Sequence, residues 1–185
     1  MNRDTSLMPG RFNRQDWVEG SPGEVSLEPT PEQAQFKKSI SCFATGVVVL
    51  SCEDDEGVIH GMTANSFVSV SWQPLTVLVS LRPGKGSRIL SRRGRYGASI
   101  LDHDQQELTT HFSSKPASSR SEAFIARGRV PALRECLAWF ECEIVERVQV
   151  HDHTMYVSHV KSCGNRQGAP LMFYASQYHK AVAAT

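Results

Sequence analysis

The chain has almost no net charge, no paired-cysteine spacing and no long apolar run, and each absence removes a class of function. Twenty Lys and Arg stand against nineteen Asp and Glu, leaving a formal charge of +1. No broad field therefore exists to gather nucleic acid or an anionic membrane surface. The five cysteines (Cys42, Cys52, Cys136, Cys142 and Cys163) are odd in number and never spaced Cys-x-x-Cys. With no signal-like apolar segment at the N-terminus, they read as reduced thiols of a cytoplasmic protein. Cys42, Cys52 and Cys142 sit among apolar residues and are expected to be small core fillers. No stretch approaches the length of a membrane span. A Gly-x-Ser-x-Gly elbow is absent, which leaves Ser–His–Asp hydrolysis without a frame. His151, His153 and His159 share strand parity, but no cysteine or carboxylate pattern completes a metal site, so none is expected.

What remains is an ordinary globular composition. At 185 residues, 40% hydrophobic and 21% charged, the chain has room for one full core. Residues 1–29 carry Pro9, Gly10, Pro22 and Gly23 among mixed charges and read as an extended arm. Phe12 and Trp17 are its candidate anchors, on the body or on a second subunit. Residues 30–185 form the domain. Thr30-Pro31-Glu32-Gln33 is a helix start, with Thr as N-cap, Pro in the first turn and Gln completing a capping box. Phe36, Ile40 and Phe43 give it one apolar stripe, and the helix is expected to end near Gly46. Residues 47–52 then form a β-branched buried strand, 53–57 a charged hairpin turn, and 58–60 the returning strand.

Residues 72–74 turn the chain into a nearly all-apolar strand, Leu75–Leu81. A Gly/Pro-broken loop over 82–87 opens a short helix over 88–93. Such a loop either presents backbone N–H groups to a phosphate or is a plain surface turn, and its spacing is not that of a Walker sequence. The cluster Arg88, Arg92, Arg93 and Arg95 is likewise a solvated helix face or a phosphate contact. A strand over 96–101, a helix over 104–112 and a polar loop over 113–121 follow. Ser119 with Glu122 makes a second capping-box signal for a helix through Ala126, stopped by Gly128. Ala138–Val150 is a long strand, paired through His151-Asp152 with a strand over 155–161. A last strand covers 170–174, with Tyr178 just beyond. Six or seven strands, short helices and no βαβ rhythm describe a mainly β fold with α insertions, expected as a closed antiparallel barrel.

The stretch Gly61-Met62-Thr63-Ala64-Asn65-Ser66-Phe67-Val68-Ser69-Val70-Ser71 is the most suggestive. It sets small hydroxyl and amide residues beside an alternating strand, in which Val68 and Val70 point one way and Ser69 and Ser71 the other. A loop entering a strand has this composition. So does a cradle in which a flat ligand lies against the backbone while donors and acceptors meet its polar edge.

Four motifs in order decide between these: Phe43-Ala44-Thr45-Gly46-Val47, the stretch just quoted, Asp152-His153-Thr154-Met155-Tyr156-Val157, and Pro170-Leu171-Met172-Phe173-Tyr174. Together they resemble the flavin reductase-like family of FMN-binding split β-barrels, antiparallel and Greek-key-like, the reductase components of two-component monooxygenases. The likeness runs from about Gln33 to Lys180. It implies that Thr63, Ala64, Asn65 and Ser66 hold the polar edge of the isoalloxazine ring, with Ser80 and Leu81 bordering it. It implies that Lys85, Ser87 and Arg88 take the phosphate side, and that Phe112 and Tyr178 close the pocket. His153 stands where the family has a histidine near the nicotinamide and is the candidate catalytic residue. By the residues alone His153 is equally a hydrogen-bonded hairpin histidine, and Tyr178 equally interface packing.

The same resemblance implies FMN, or FAD, as flavin, NADH or NADPH as co-substrate, a partner monooxygenase and a homodimer with flavin near the subunit interface. Hydride chemistry belongs to the cofactors, so the chain needs neutral donors and good stacking and has no use for a strong base. Some positions depart from the family pattern. Pro83-Gly84 lengthens a loop, Ser99 replaces a common Asn, Ser158-His159 replaces Gly-Glu, and Ser176-Gln177 replaces Gly-Arg. A flavin-retaining oxidase or monooxygenase, or a non-catalytic flavin-binding dimer, are the alternatives these departures keep open.

Overall fold

Thr30 opens the first helix reciprocally. Its Oγ1 accepts the Gln33 N–H at 3.2 Å, and Gln33 Oε1 accepts the Thr30 N–H at 2.9 Å, satisfying donors that a helix start leaves unpaired. The structure is a computed structural model that describes residues 29–113 and 121–181. Phe12, Trp17 and Ser119 lie outside the described residues. Helix α1 covers Pro31–Ile40 and stops short of Gly46, because strand β1 (Thr45–Gly46) is drawn into pairing with Met172 and Phe173. The stripe of Phe36, Ile40 and Phe43 is 71%, 54% and 70% exposed, and no residue of α1 is buried.

In chain order there follow β2 (Val48–Glu53), β3 (Ile59–Ala64), β4 (Val68–Trp72), β5 (Leu75–Leu81), α2 (Lys85–Arg93), β6 (Arg95–Ile100) and α3 (Gln106–Ser113). Then come β7 (Phe124–Arg127), β8 (Val130–Leu133), β9 (Ala138–Val150), β10 (His153–Asn165), β11 (Leu171–Tyr174) and β12 (Gln177–Lys180). Seven strands form one antiparallel sheet in the order β3-β2-β6-β9-β10-β5-β4, with β1-β11-β12 and β7-β8 as smaller sheets.

The two edges of the large sheet, β3 and β4, are consecutive in the chain. Laid flat, seven strands are about 29 Å wide, taking a spacing of about 4.8 Å. The chain from Ala64 to Val68 reaches at most about 14 Å. The sheet therefore curls until its edges face each other, as twisted sheets do. No ladder joins β3 to β4. The closed barrel expected from the strand pattern is thus corrected to a split one, the mainly β fold with short helices that the family resemblance implied.

Strand β2 pairs with β3 and β6 at its two edges, its side chains enter a core cluster on each face, and it reads as an unbroken apolar run. Val48, Leu50 and Cys52 enter one core cluster with Val77, Val79, Leu90, Tyr96 and Tyr156. Val47 and Val49 enter a second with Leu101, Phe112, Phe124 and Leu171. This is the period of two that a strand imposes. Cys52 and Cys142 are core fillers as expected, whereas Cys42 is exposed because it follows a helix that buries nothing.

The helix expected through Ala126 is one turn of 3-10 helix, Ser121–Ala123, followed by the β7–β8 hairpin. Tertiary packing overrides the local signal: Phe124, Val130 and Leu133 are buried. Ser51 Oγ donates to Pro131 O at 2.6 Å and the Leu133 N–H to Ser99 Oγ at 3.0 Å. Gly128, expected to stop a helix, turns the hairpin at φ +61°. Glu141, itself buried, accepts the Arg129 N–H at 3.1 Å and the Ser162 hydroxyl at 2.9 Å. Strand β10 runs from His153 to Asn165, beyond the expected 155–161, and β12 was not expected at all.

Candidate functional site

Three chain segments converge at the split. The end of β3 with its corner supplies Thr63, Ala64, Asn65 and Ser66, the end of β5 supplies Ser80, Leu81 and Arg82, and the start of β10 supplies His153. They line a groove of about 320 Å³. Thr154 pairs with Leu81, which puts His153 next to Arg82 where the ladder ends. A neighbouring recess of about 150 Å³ shares Thr63, Ala64 and Asn65 and adds Val47, Ser113, Phe173 and Tyr178. The Tyr178 ring is tilted against Phe173 with centroids 5.2 Å apart.

The hydroxyls divide into two groups. Thr63 Oγ1 donates to Thr109 O at 3.2 Å. Ser66 Oγ donates to Ser80 O at 2.7 Å and accepts the Ser80 N–H at 3.1 Å. These two side chains fasten the corner to α3 and β5. The Asn65 amide is exposed, and neither it nor the Ser80 hydroxyl has a partner among the described residues. Among the described residues no carboxylate lines the groove or the recess. Free neutral donors, a backbone-lined wall and no repelling acid suit a flat, electron-rich ring that gains negative charge, so the residues fit a flavin.

His153 Nδ1 lies 2.9 Å from Asp152 Oδ1, and Asp152 Oδ2 is 3.5 Å from Arg82. The hydrogen bond from His153 holds the Asp152 carboxyl below the ordinary carboxylate range, and the Arg82 charge adds to this. The carboxylate thereby holds the Nδ1 side of the His153 ring, leaving Nε2 as the free ring nitrogen among the described residues.

Not every residue named from the sequence gathers here. Lys85 and Arg88 line a different cavity with Asp54, Asp55 and Glu56. Ser87 is buried, and its Oγ caps α2 by accepting the Gly84 N–H at 2.8 Å. Phe112 is buried in the second core cluster under Gly61, where a Cβ would stand 2.4 Å from its ring. His151 sits in the β9–β10 turn at φ +49°. The group of His, Cys and carboxylate atoms drawn together among the described residues is Asp102, His103 and Asp104, whose acids pair with Arg166 and Lys180. Arg82 of the groove and Phe173 of the recess were missed. The signal for Arg82 was period two, which puts it on the same face as Ser80.

Solved structures share this architecture. The styrene monooxygenase flavin reductase from Pseudomonas putida S12 has a TM-score of 0.76 and 42% identity, covering 81% of this chain and 99% of that one. Fold and site thus define a split-barrel flavin reductase. Residues 40–181 match the family described as flavin reductase like domain, and the chain belongs to that family of oxidoreductases. It is 45% identical over 148 residues to an NADH-dependent flavin reductase, StyB, of Pseudomonas fluorescens, covering 78% of this chain and 87% of that protein. An NADH-dependent flavin reductase of a Rhodococcus species is 36% identical over 160 residues, 84% of this chain and 89% of that protein. Among the described residues no helix is long and apolar enough to cross a membrane.

Proposed function

We propose that the protein uses NADH to reduce FMN or FAD and passes the reduced flavin to a separate monooxygenase. The observation that carries this reading is the convergence of Asn65, Ser80 and His153 on one groove without a carboxylate, in a chain 45% identical to an NADH-dependent flavin reductase. Bound flavin supplies the two-electron acceptor for hydride. The Asn65 amide and the backbone of residues 63–66 hold the ring's polar edge, and Ser80 and Leu81 border it. Phe173 and Tyr178 wall the recess on the other side of Thr63. His153, oriented by Asp152, stands on the nicotinamide side and helps set the two rings in near-attack geometry. The contacts to the ring itself are neutral, so the ring is held by hydrogen bonds and stacking alone.

The working form is a cytoplasmic homodimer. Trp72, Val70, Val68 and Leu75 expose 89%, 56%, 52% and 49% of their surface along one edge of the sheet, an apolar patch of the kind a second subunit covers. The test is anaerobic: protein, excess FMN, then NADH or NADPH, with the yellow flavin band followed in time. Bleaching with NADH, faster than with NADPH, is expected. A band that persists with both nucleotides while flavin stays bound would sink the reductase reading.

A further inference from the structure

Among the described residues the groove holds one guanidinium and no other fixed cation. Among its lining residues Arg82 is the only Lys or Arg, and the cations that looked suited to a phosphate, Lys85 and Arg88, face the acidic turn at Asp54, Asp55 and Glu56 instead. Arg82 is not committed. Among the described residues its ion-pair partner is Asp152 at 3.5 Å, and the two side chains are 76% and 69% exposed. Solvated pairs of this kind are among the weakest in proteins, whereas a guanidinium on a phosphate makes two parallel charge-assisted bonds.

We infer that Arg82 captures a phosphate group of the nucleotide bound in the groove, leaving Asp152 to do so. This rests on the groove being the flavin and nicotinamide site. Asp152 keeps its second partner, His153 at 2.9 Å. The exchange therefore moves Arg82 alone, and the His153 ring stays oriented.

Two ligands bring phosphate to this place, the flavin through its monoester and the nicotinamide through its diphosphate. Both are measured at equilibrium, without turnover. Flavin fluorescence quenching compares wild type with Arg82→Gln for FMN and for riboflavin, which has the same ring and no phosphate. Calorimetric titration with NAD⁺ covers the dinucleotide. A loss of about tenfold or more for FMN with riboflavin unchanged assigns Arg82 to the flavin phosphate. The same loss for NAD⁺ with both flavins unchanged assigns it to the diphosphate. Equal binding of all three, or riboflavin weakened as much as FMN, overturns the inference. Asp152→Asn adds a readout that a merely structural ion pair would not give. Releasing Arg82 keeps or raises phosphate affinity, whereas a structural pair makes both variants lose alike, which also overturns it. Wild type that binds neither flavin would overturn the site reading itself, an outcome distinct from a failure at Arg82.

Discussion

Replacing Ser66 with alanine removes a two-way fastening between the corner that ends β3 and the end of β5. The hydroxyl donates at 2.7 Å and accepts at 3.1 Å, both with the backbone of Ser80. Each such bond contributes about 1 kcal/mol net, so Ser66→Ala is expected to cost about 2 kcal/mol. For a domain of this size that lowers Tm by about 4–8 °C. Urea unfolding should show the lower midpoint with an unchanged slope. Flavin affinity should fall only moderately, because the variant keeps the Asn65 amide and the Ser80 hydroxyl. A Ser66→Ala protein within about 0.5 kcal/mol of wild type, yet unable to bind FMN, would refute this reasoning. Its hydroxyl would then be a ligand contact and not a fastening.

Gly97→Ala should be worse tolerated, since a Cβ there would stand 2.0 Å from the carbonyl oxygen of Pro131. Backbone cannot swing aside, and a destabilisation of about 3 kcal/mol is expected in the same urea assay. Asp54 is held down to about 2, chiefly by the hydrogen bond from His60 and then by the Val58 N–H. Its stabilising share is complete above the ordinary 3.8 and is lost as pH falls through about 2, because the unfolded chain binds the proton first. The difference in urea midpoint between wild type and Asp54→Asn should shrink across that window, and a constant difference would contradict the assignment. Burial pushes the Cys52 and Cys142 thiols up to about 12. At mildly alkaline pH a thiol reagent should therefore label Cys42 and Cys163 in the folded protein, and Cys52, Cys136 and Cys142 only after unfolding.

Strand β2 was legible in the sequence because a strand covered on both faces has no polar side to confuse the pattern. The β9–β10 pairing was legible for the opposite reason, a long alternation around a short turn. The β7–β8 hairpin was not, because Ser119 and Glu122 imitate a helix start. What decides there is the burial of Phe124 and Leu133, which no local window contains. Strand β12 was hidden by its turn. Ala175 and Ser176 adopt φ of +50° and +61° without the Gly or Asn that usually announces such a hairpin. The motif at 61–71, with Ser80 and His153, led directly to the groove. The structure sets Lys85 and Arg88 apart from that groove, in a cavity with Asp54, Asp55 and Glu56, a placement that no local window contains.

The unladdered edge between β3 and β4 has a consequence for turnover. Everywhere else along the large sheet, widening by an ångström would stretch a row of hydrogen bonds at once. At this boundary no ladder joins the two strands among the described residues: residues 65–67 connect them, and the Ser66 hydroxyl fastens that corner to β5. The barrel is therefore most compliant beside the groove lined by Asn65, Ser80 and His153. If the proposed reading holds, a flat ligand would enter and leave there by a small parting of strands, with the core intact.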